Sequence, residues 1–135
     1  MTTCVYRAES NKNVEQFVTD FIQNVEAKGF TVHNESKMAM RDIFDAHEQD
    51  VPDDFDLHMI QICKPEKAAK SLTANLERAV LMPKFVIAFT LNGKTQVRML
   101  RYGQDMVTDL IGDVAFSVSM QDTFNSLGEV IDAAI

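Results

Sequence analysis

The Asn92-Gly93 dipeptide constrains this chain more than any other feature. It lies between two apolar runs, Lys84 to Leu91 and Lys94 to Arg101. Both residues tolerate positive φ, so the pair signals a two-residue type I′ turn, whose twist matches that of the strands it joins. Such a short loop fixes the register. Leu91 then faces Lys94, Phe89 faces Gln96, Ile87 faces Arg98 and Phe85 faces Leu100. On the opposite side Val86, Ala88 and Thr90 meet Met99, Val97 and Thr95. Apolar side chains therefore occupy both faces of the hairpin, and one face must pack on helices. The other carries Phe85, Ile87, Phe89 and Leu91, rimmed by Lys94, Gln96 and Arg98, which is the composition of an interface. Either the C-terminal helix covers this face or a partner does. The expected interface is Phe85, Ile87, Phe89, Leu91 and Arg98.

The remaining elements follow from periodicity. Thr2 to Ala8 alternates weakly and reads as a strand. From Asn13 to Lys28 the apolar residues Val14, Phe17, Val18, Phe21, Ile22 and Val25 form the stripe of an amphipathic helix, closed by Gly29. Phe30 to Asn34 reads as a short strand, and Ser36 as the cap of a helix carrying Met40, Ile43, Phe44 and His47 on one face. Phe55 to Cys63 reads as a strand. Pro65 suits the first turn of a helix running to about Arg78, with Ala68, Ala69, Leu72, Leu76 and Ala79 inward. Gly103 opens a helical stretch that Gly112 interrupts. Ser119 caps a last helix with Phe124, Leu127, Val130 and Ile131 inward. The expected fold is α+β: one domain over residues 1–135, a two-layer α/β sandwich with helices packed on one face of a mixed sheet containing the antiparallel hairpin at 84–101.

The formal charge of −7 narrows the partners. Asp42, Asp45, Glu48, Asp50, Asp53, Asp54 and Asp56 form a run that repels nucleic acid and anionic membrane, so neither is an expected partner. The plain reading of this run is a solvated helix end and loop. Two cysteines, Cys4 and Cys63, make no disulfide framework or CxxC pair. The N-terminal residues lack a signal-peptide apolar region, and no apolar run approaches the ~20 residues of a membrane span. The expected location is the reducing cytoplasm.

Cys63 is the best single candidate for chemistry. It precedes a helix N-terminus, whose partial positive charge and free N–H groups favour a thiolate, and Lys64 and Lys67 add to that field. Cys63, Lys64 and Lys67 are the candidate ligand-binding residues, and their turn could hold an anion. The bland alternative is an inert thiol ending a buried strand. No histidine is placed to activate it. His58 is five residues away and so on the opposite strand face, His33 belongs to another strand, and His47 falls on an apolar helix face. His47-Glu48-Gln49-Asp50 lacks the second histidine of a zincin helix. Neither a metal site nor a cofactor is implied by spacing.

From Gln61 to Leu91 the chain runs Gln-Ile-Cys-Lys-Pro-Glu-Lys-Ala-Ala-Lys-Ser-Leu, then Asn75-Leu76-Glu77-Arg78-Ala79-Val80-Leu81-Met82-Pro83, then a strand of valine and phenylalanine. This resembles the family called domain of unknown function 302, in which a strand ends in a cysteine-asparagine-proline turn. In that family a helix, a leucine-leucine-proline-cysteine turn and a hairpin follow. Gly29-Phe30-Thr31-Val32 also fits the family's opening of its second strand. The resemblance spans roughly Val5 to Met106. Lys64 stands where the family has asparagine, and Lys84 where it has cysteine. Cys63 matches the first family cysteine, so any chemistry needing both cysteines is closed to this chain. The resemblance implies a compact two-layer fold and brings no activity.

Without a catalytic constellation, the function expected from sequence is a non-catalytic small-ligand- or protein-binding module acting as a homodimer. The alternative is a thiol-dependent redox or sulfur-handling protein using Cys63.

Overall fold

Asn92 and Gly93 adopt φ of +54° and +77°, and the strands they join pair Leu91 with Lys94, Phe89 with Gln96 and Ile87 with Arg98. The turn chemistry thus sets the centre of the sheet. A computed structural model describes residues 2–135. Its elements in chain order are β1 (Cys4–Ser10), α1 (Val14–Ala27), β2 (Thr31–Val32), α2 (Met40–Ala46), β3 (Leu57–Cys63), α3 (Pro65–Ala74), β4 (Lys84–Leu91), β5 (Lys94–Arg101), α4 (Gln104–Ile111) and α5 (Val114–Ala134). The strands form one sheet in the order β1-β5-β4-β3-β2. Every pairing between these strands is antiparallel, so the expected mixed sheet is antiparallel throughout.

One side of the sheet carries the core. Ile60, Ile62, Val86, Ala88, Val97 and Met99 point from the strands into Phe17, Phe21 and Val25 of α1 and Phe124, Leu127 and Ile131 of α5. Each of the fully buried phenylalanine and isoleucine side chains contributes about 1.5–3 kcal/mol through removal from water. The stripe predicted for α1 is buried along its whole length. Asn13 caps that helix by accepting from the Gln16 amide. Gly29, at φ +87°, closes it: its N–H donates to Glu26 and the next N–H, of Phe30, to Val25, the double bond of a Schellman end.

Five expectations shift. The second strand is only Thr31–Val32, because the chain leaves the sheet once Asn34 has bonded to the β3 backbone at Met59 and Gln61. Ser36 lies inside a 3-10 turn, Glu35–Lys37, and α2 starts at Met40 without a side-chain cap. His47 is the C-terminal cap of α2 and is exposed, so it is not part of the apolar helix face expected to carry it. The helix from Pro65 stops at Ala74, since Asn75 takes extended backbone angles, and a 3-10 turn over Leu76–Leu81 follows. Leu76 therefore points outward, 78% exposed. Finally, Ser119 is interior to α5. That helix begins at Val114, capped by Asp113, whose carboxylate accepts from the Phe116 amide.

Asp113 also takes two bonds from Arg78, at 2.6 and 3.1 Å, and one from Asn75 at 2.9 Å. These contacts hold its carboxyl well below the usual carboxylate range, the Arg78 guanidinium first among them. One residue thus starts α5 and ties down the turn that follows α3.

Candidate functional site

A cleft of about 310 Å³ opens where α3, the start of β4 and α5 diverge. It exists because α3 docks loosely: none of its residues is fully buried. The walls are apolar, built from Ile62, Leu72, Phe116 and Met120. Three lysines, Lys64, Lys67 and Lys84, also line the cleft, and no carboxylate residue does. In a chain of net charge −7 this is a local inversion of sign.

The geometry of each lysine follows from its element. Lys64 joins β3 to α3, and its ammonium lies 5.4 Å from the centre of the Phe30 ring. Lys67, one turn into α3, donates to the Ser119 carbonyl at 3.2 Å and to Thr123 Oγ1 at 2.7 Å, bridging α3 to α5. Burial pulls its pKa down. Lys84 opens β4 and pairs with buried Ile62, which sets its side chain on the helix side of the sheet. Its ammonium sits 5.8 Å from the Phe124 ring centre. It makes no hydrogen bond or ion pair among the described residues. Desolvation, with the nearby Lys67 charge second, brings its pKa down to about 8. A buried ammonium without a partner is costly, and it relieves that cost by losing its proton or by gaining an anion.

Cys63 lines the same cleft and is half-buried. Cys63, Lys64 and Lys67, grouped from the sequence, thus line one cleft. His33 joins it, an assignment that spacing alone did not allow. Its Nε2 lies 2.9 Å from Thr31 Oγ1, and Thr31 in turn donates to the Cys63 carbonyl at 3.3 Å. His58 sits apart, with Nε2 3.4 Å from Asp56. Lys84 is the residue that the reading of candidate sites passed over. The signal was present: counting back by two from inward-facing Ala88 and Val86 lands on Lys84. Among the described residues, no three His, Cys, Asp or Glu side chains gather as metal ligands.

The other face of the sheet carries the expected interface residues. Phe85, Ile87 and Phe89 are half-buried and Leu91 is 52% exposed. α5 lies on the opposite side, against α1 and α4, so it does not cover this face. The acidic loop approaches it, leaving an open groove bordered by Asp54, Asp56, Leu57, Ile87 and Phe89. Arg98 stacks 5.4 Å over the Phe89 ring. All seven carboxylates of the acidic run are exposed, and Arg41 pins the loop by donating to the carbonyls of Pro52, Asp53 and Phe55.

Comparison with known proteins adds a family. The profile described as domain of unknown function DUF302 matches residues 6–134. The match takes in the C-terminal helix, which lies beyond the Val5 to Met106 span of the sequence resemblance. No curated protein matches the chain. Among solved structures, an uncharacterized conserved DUF302 protein from Bacillus stearothermophilus superposes with a TM-score of 0.82 at 18% identity, covering 97% of this chain and 98% of that one. At that identity the likeness is one of fold. Among the described residues, no helix is long and apolar enough to cross a membrane.

Proposed function

We propose that this chain, which belongs to the DUF302 family, is a non-catalytic binding module whose cleft holds a small organic anion with an apolar body. The observation that carries this reading is Lys84: an ammonium that lines an apolar cleft and, among the described residues, makes no hydrogen bond or ion pair. Lys64 and Lys67 add positive charge, and Ile62, Leu72, Phe116 and Met120 supply a surface for a hydrocarbon or aromatic portion. The volume is at the low end of small-molecule sites, which run from ~300 to ~1,000 Å³. A carboxylate or sulfonate headgroup fits the donors, since hydrogen bonds to charged groups contribute about 1.5–3 kcal/mol.

The test is calorimetric titration with decanoate beside decanol, a pair differing in headgroup charge. Decanoate is expected to bind at least about tenfold more tightly, in line with the loss of one charged hydrogen bond. Its affinity is expected to hold steady below about pH 8 and to weaken above it as the Lys84 ammonium deprotonates. Equal binding of decanol, or binding that ignores pH, overturns the reading.

A second reading rests on Cys63, which shares the cleft with these ammonium groups. It makes the chain a thiol-dependent redox or sulfur-handling protein. Alkylation of Cys63 by iodoacetamide across a pH series tests it. A titration midpoint no lower than that of a free thiol, about 8.5, removes it.

A further inference from the structure

We propose that the cleft captures apolar aldehydes covalently, with Lys84 Nζ adding to the carbonyl carbon to form a reversible imine. The inference rests on the same cleft as the reading above but uses the neutral amine in place of the ammonium, so either can fail alone. Lys84 pairs with Ile62 across β3 and β4, and it lines the cleft. Among the described residues its nitrogen makes no hydrogen bond or ion pair, so nothing holds the lone pair back once the proton leaves. Lys67 is committed instead: it donates to the Ser119 carbonyl and to Thr123 Oγ1. Leu72, Phe116 and Met120 wall a space of about 310 Å³, room for a short hydrocarbon chain or a ring.

The charges around the amine favour its neutral form. Lys67 on α3 and Lys64 at the β3–α3 junction line the cleft with it, beside the titratable Cys63 and His33, and no carboxylate residue does. Asp122 of α5 bears on Lys67. Desolvation, with the Lys67 charge second and Cys63 opposing, brings the Lys84 pKa down to about 8. About a tenth of it is then neutral at pH 7, against less than about a thousandth for a lysine of ordinary pKa. An amine desolvated in an apolar pocket beside a second cation is the arrangement that activates lysine toward carbonyls. The step balances without an oxidant or reductant. The nitrogen lone pair forms the C–N bond as the carbonyl π pair moves to oxygen, which takes a proton from water while nitrogen releases one. The C–O bond of this carbinolamine then breaks, water leaves, and nitrogen completes the C=N bond.

Trapping with hexanal and sodium cyanoborohydride at neutral pH, read by peptide mapping, tests the proposal. Lys84 is expected to be alkylated at least about tenfold faster than the exposed Lys28, Lys70 and Lys94. The α-amino group of the tested chain, with an ordinary pKa of about 7.7–8.0, is the control for basicity alone. The ratio of Lys84 to α-amine labelling is expected to rise at least about tenfold from acetaldehyde to hexanal, as the walls take up the added methylenes. Both preferences are expected to vanish in urea. Lys84→Arg, and Lys84→Met as a variant expected to fold at least as well as wild type, are expected to lose the fast-labelled fraction and keep the slow one. Labelling of Lys84 no faster than that of the exposed lysines, or a ratio to the α-amine that ignores aldehyde length, overturns the proposal. A preference for decanoate without hexanal trapping at Lys84 overturns this inference and leaves the anion reading standing, and trapping without that preference does the reverse.

Discussion

Replacing Lys84 by methionine is expected to stabilise the fold at neutral pH, against the usual direction for a substitution in a packed region. The lysine pKa falls from 10.5 to about 8 in the folded chain. At about 1.4 kcal/mol per unit, this sets a ceiling of about 3 kcal/mol on the penalty of burying the ammonium. Methionine keeps an unbranched side chain of similar reach and forfeits the Phe124 contact, worth about 0.5–1 kcal/mol. The net expectation near pH 7 is a gain of about 1–2 kcal/mol. The sign with pH follows from where the proton sits. Below about pH 8 both folded and unfolded chains hold it, and the penalty is complete. Between about 8 and 10.5 the unfolded chain keeps a proton that the folded chain has released, so the wild type gains stability as pH rises. Above that window the advantage of K84M is gone. Urea unfolding of both proteins at a series of pH values from neutral to strongly alkaline measures the difference directly. A K84M protein less stable than wild type at pH 7, or a gap that stays constant across the window, refutes the reasoning.

Two glycines separate backbone strain from space. Gly93 has nothing within 4 Å of an added Cβ but sits at φ +77°, so Gly93→Ala is expected to cost about 1–2 kcal/mol in urea unfolding. Gly128 lies inside α5, where an added Cβ meets Tyr6 Cε2 at 3.5 Å, an ordinary contact, so Gly128→Ala is expected to raise stability by up to about 1 kcal/mol. The Asp113 carboxyl, held low by Arg78, contributes stability that is complete above the usual carboxylate pKa and is lost as pH falls through its own lowered value. Wild type is therefore expected to outlast Asp113→Asn in thermal melts near neutral pH, with the two converging in acid.

The strongest local signals in the sequence became structure almost residue for residue. The α1 stripe, the Gly29 end and the hairpin register each depend on short-range chemistry, a period of 3.6 or 2 and a turn that demands positive φ. The losses came where tertiary contacts override such signals. Ser119 has a good capping residue's side chain, yet Asp113 starts α5, because Arg78 and Asn75 converge on it from a turn 35 and 38 residues away. That same convergence explains the missed end of α3. Asn75 caps the Leu76–Leu81 turn and donates to Asp113, so it leaves helical geometry and turns Leu76 outward. No window along the chain contains both halves of that arrangement.

Lys84 is where local consistency fails, and that failure carries an argument. Its strand parity calls for an apolar side chain: it pairs with Ile62, and two residues on comes buried Val86. The family resemblance, too, puts a small thiol there rather than an amine. A chain selected for stability alone has no reason to place an ammonium at this position, given a penalty of up to about 3 kcal/mol. Lysine there is intelligible if the cleft gives it an anion, because binding returns the lost electrostatic energy at the moment of use. Natural sequences break local rules at functional sites and compensate elsewhere. The two properties must then move together. The substitution that stabilises the empty fold, K84M, is the one expected to abolish the preference for decanoate over decanol. A variant that gained stability and kept that preference would separate them, and would show that the lysine belongs to the scaffold and not to the site.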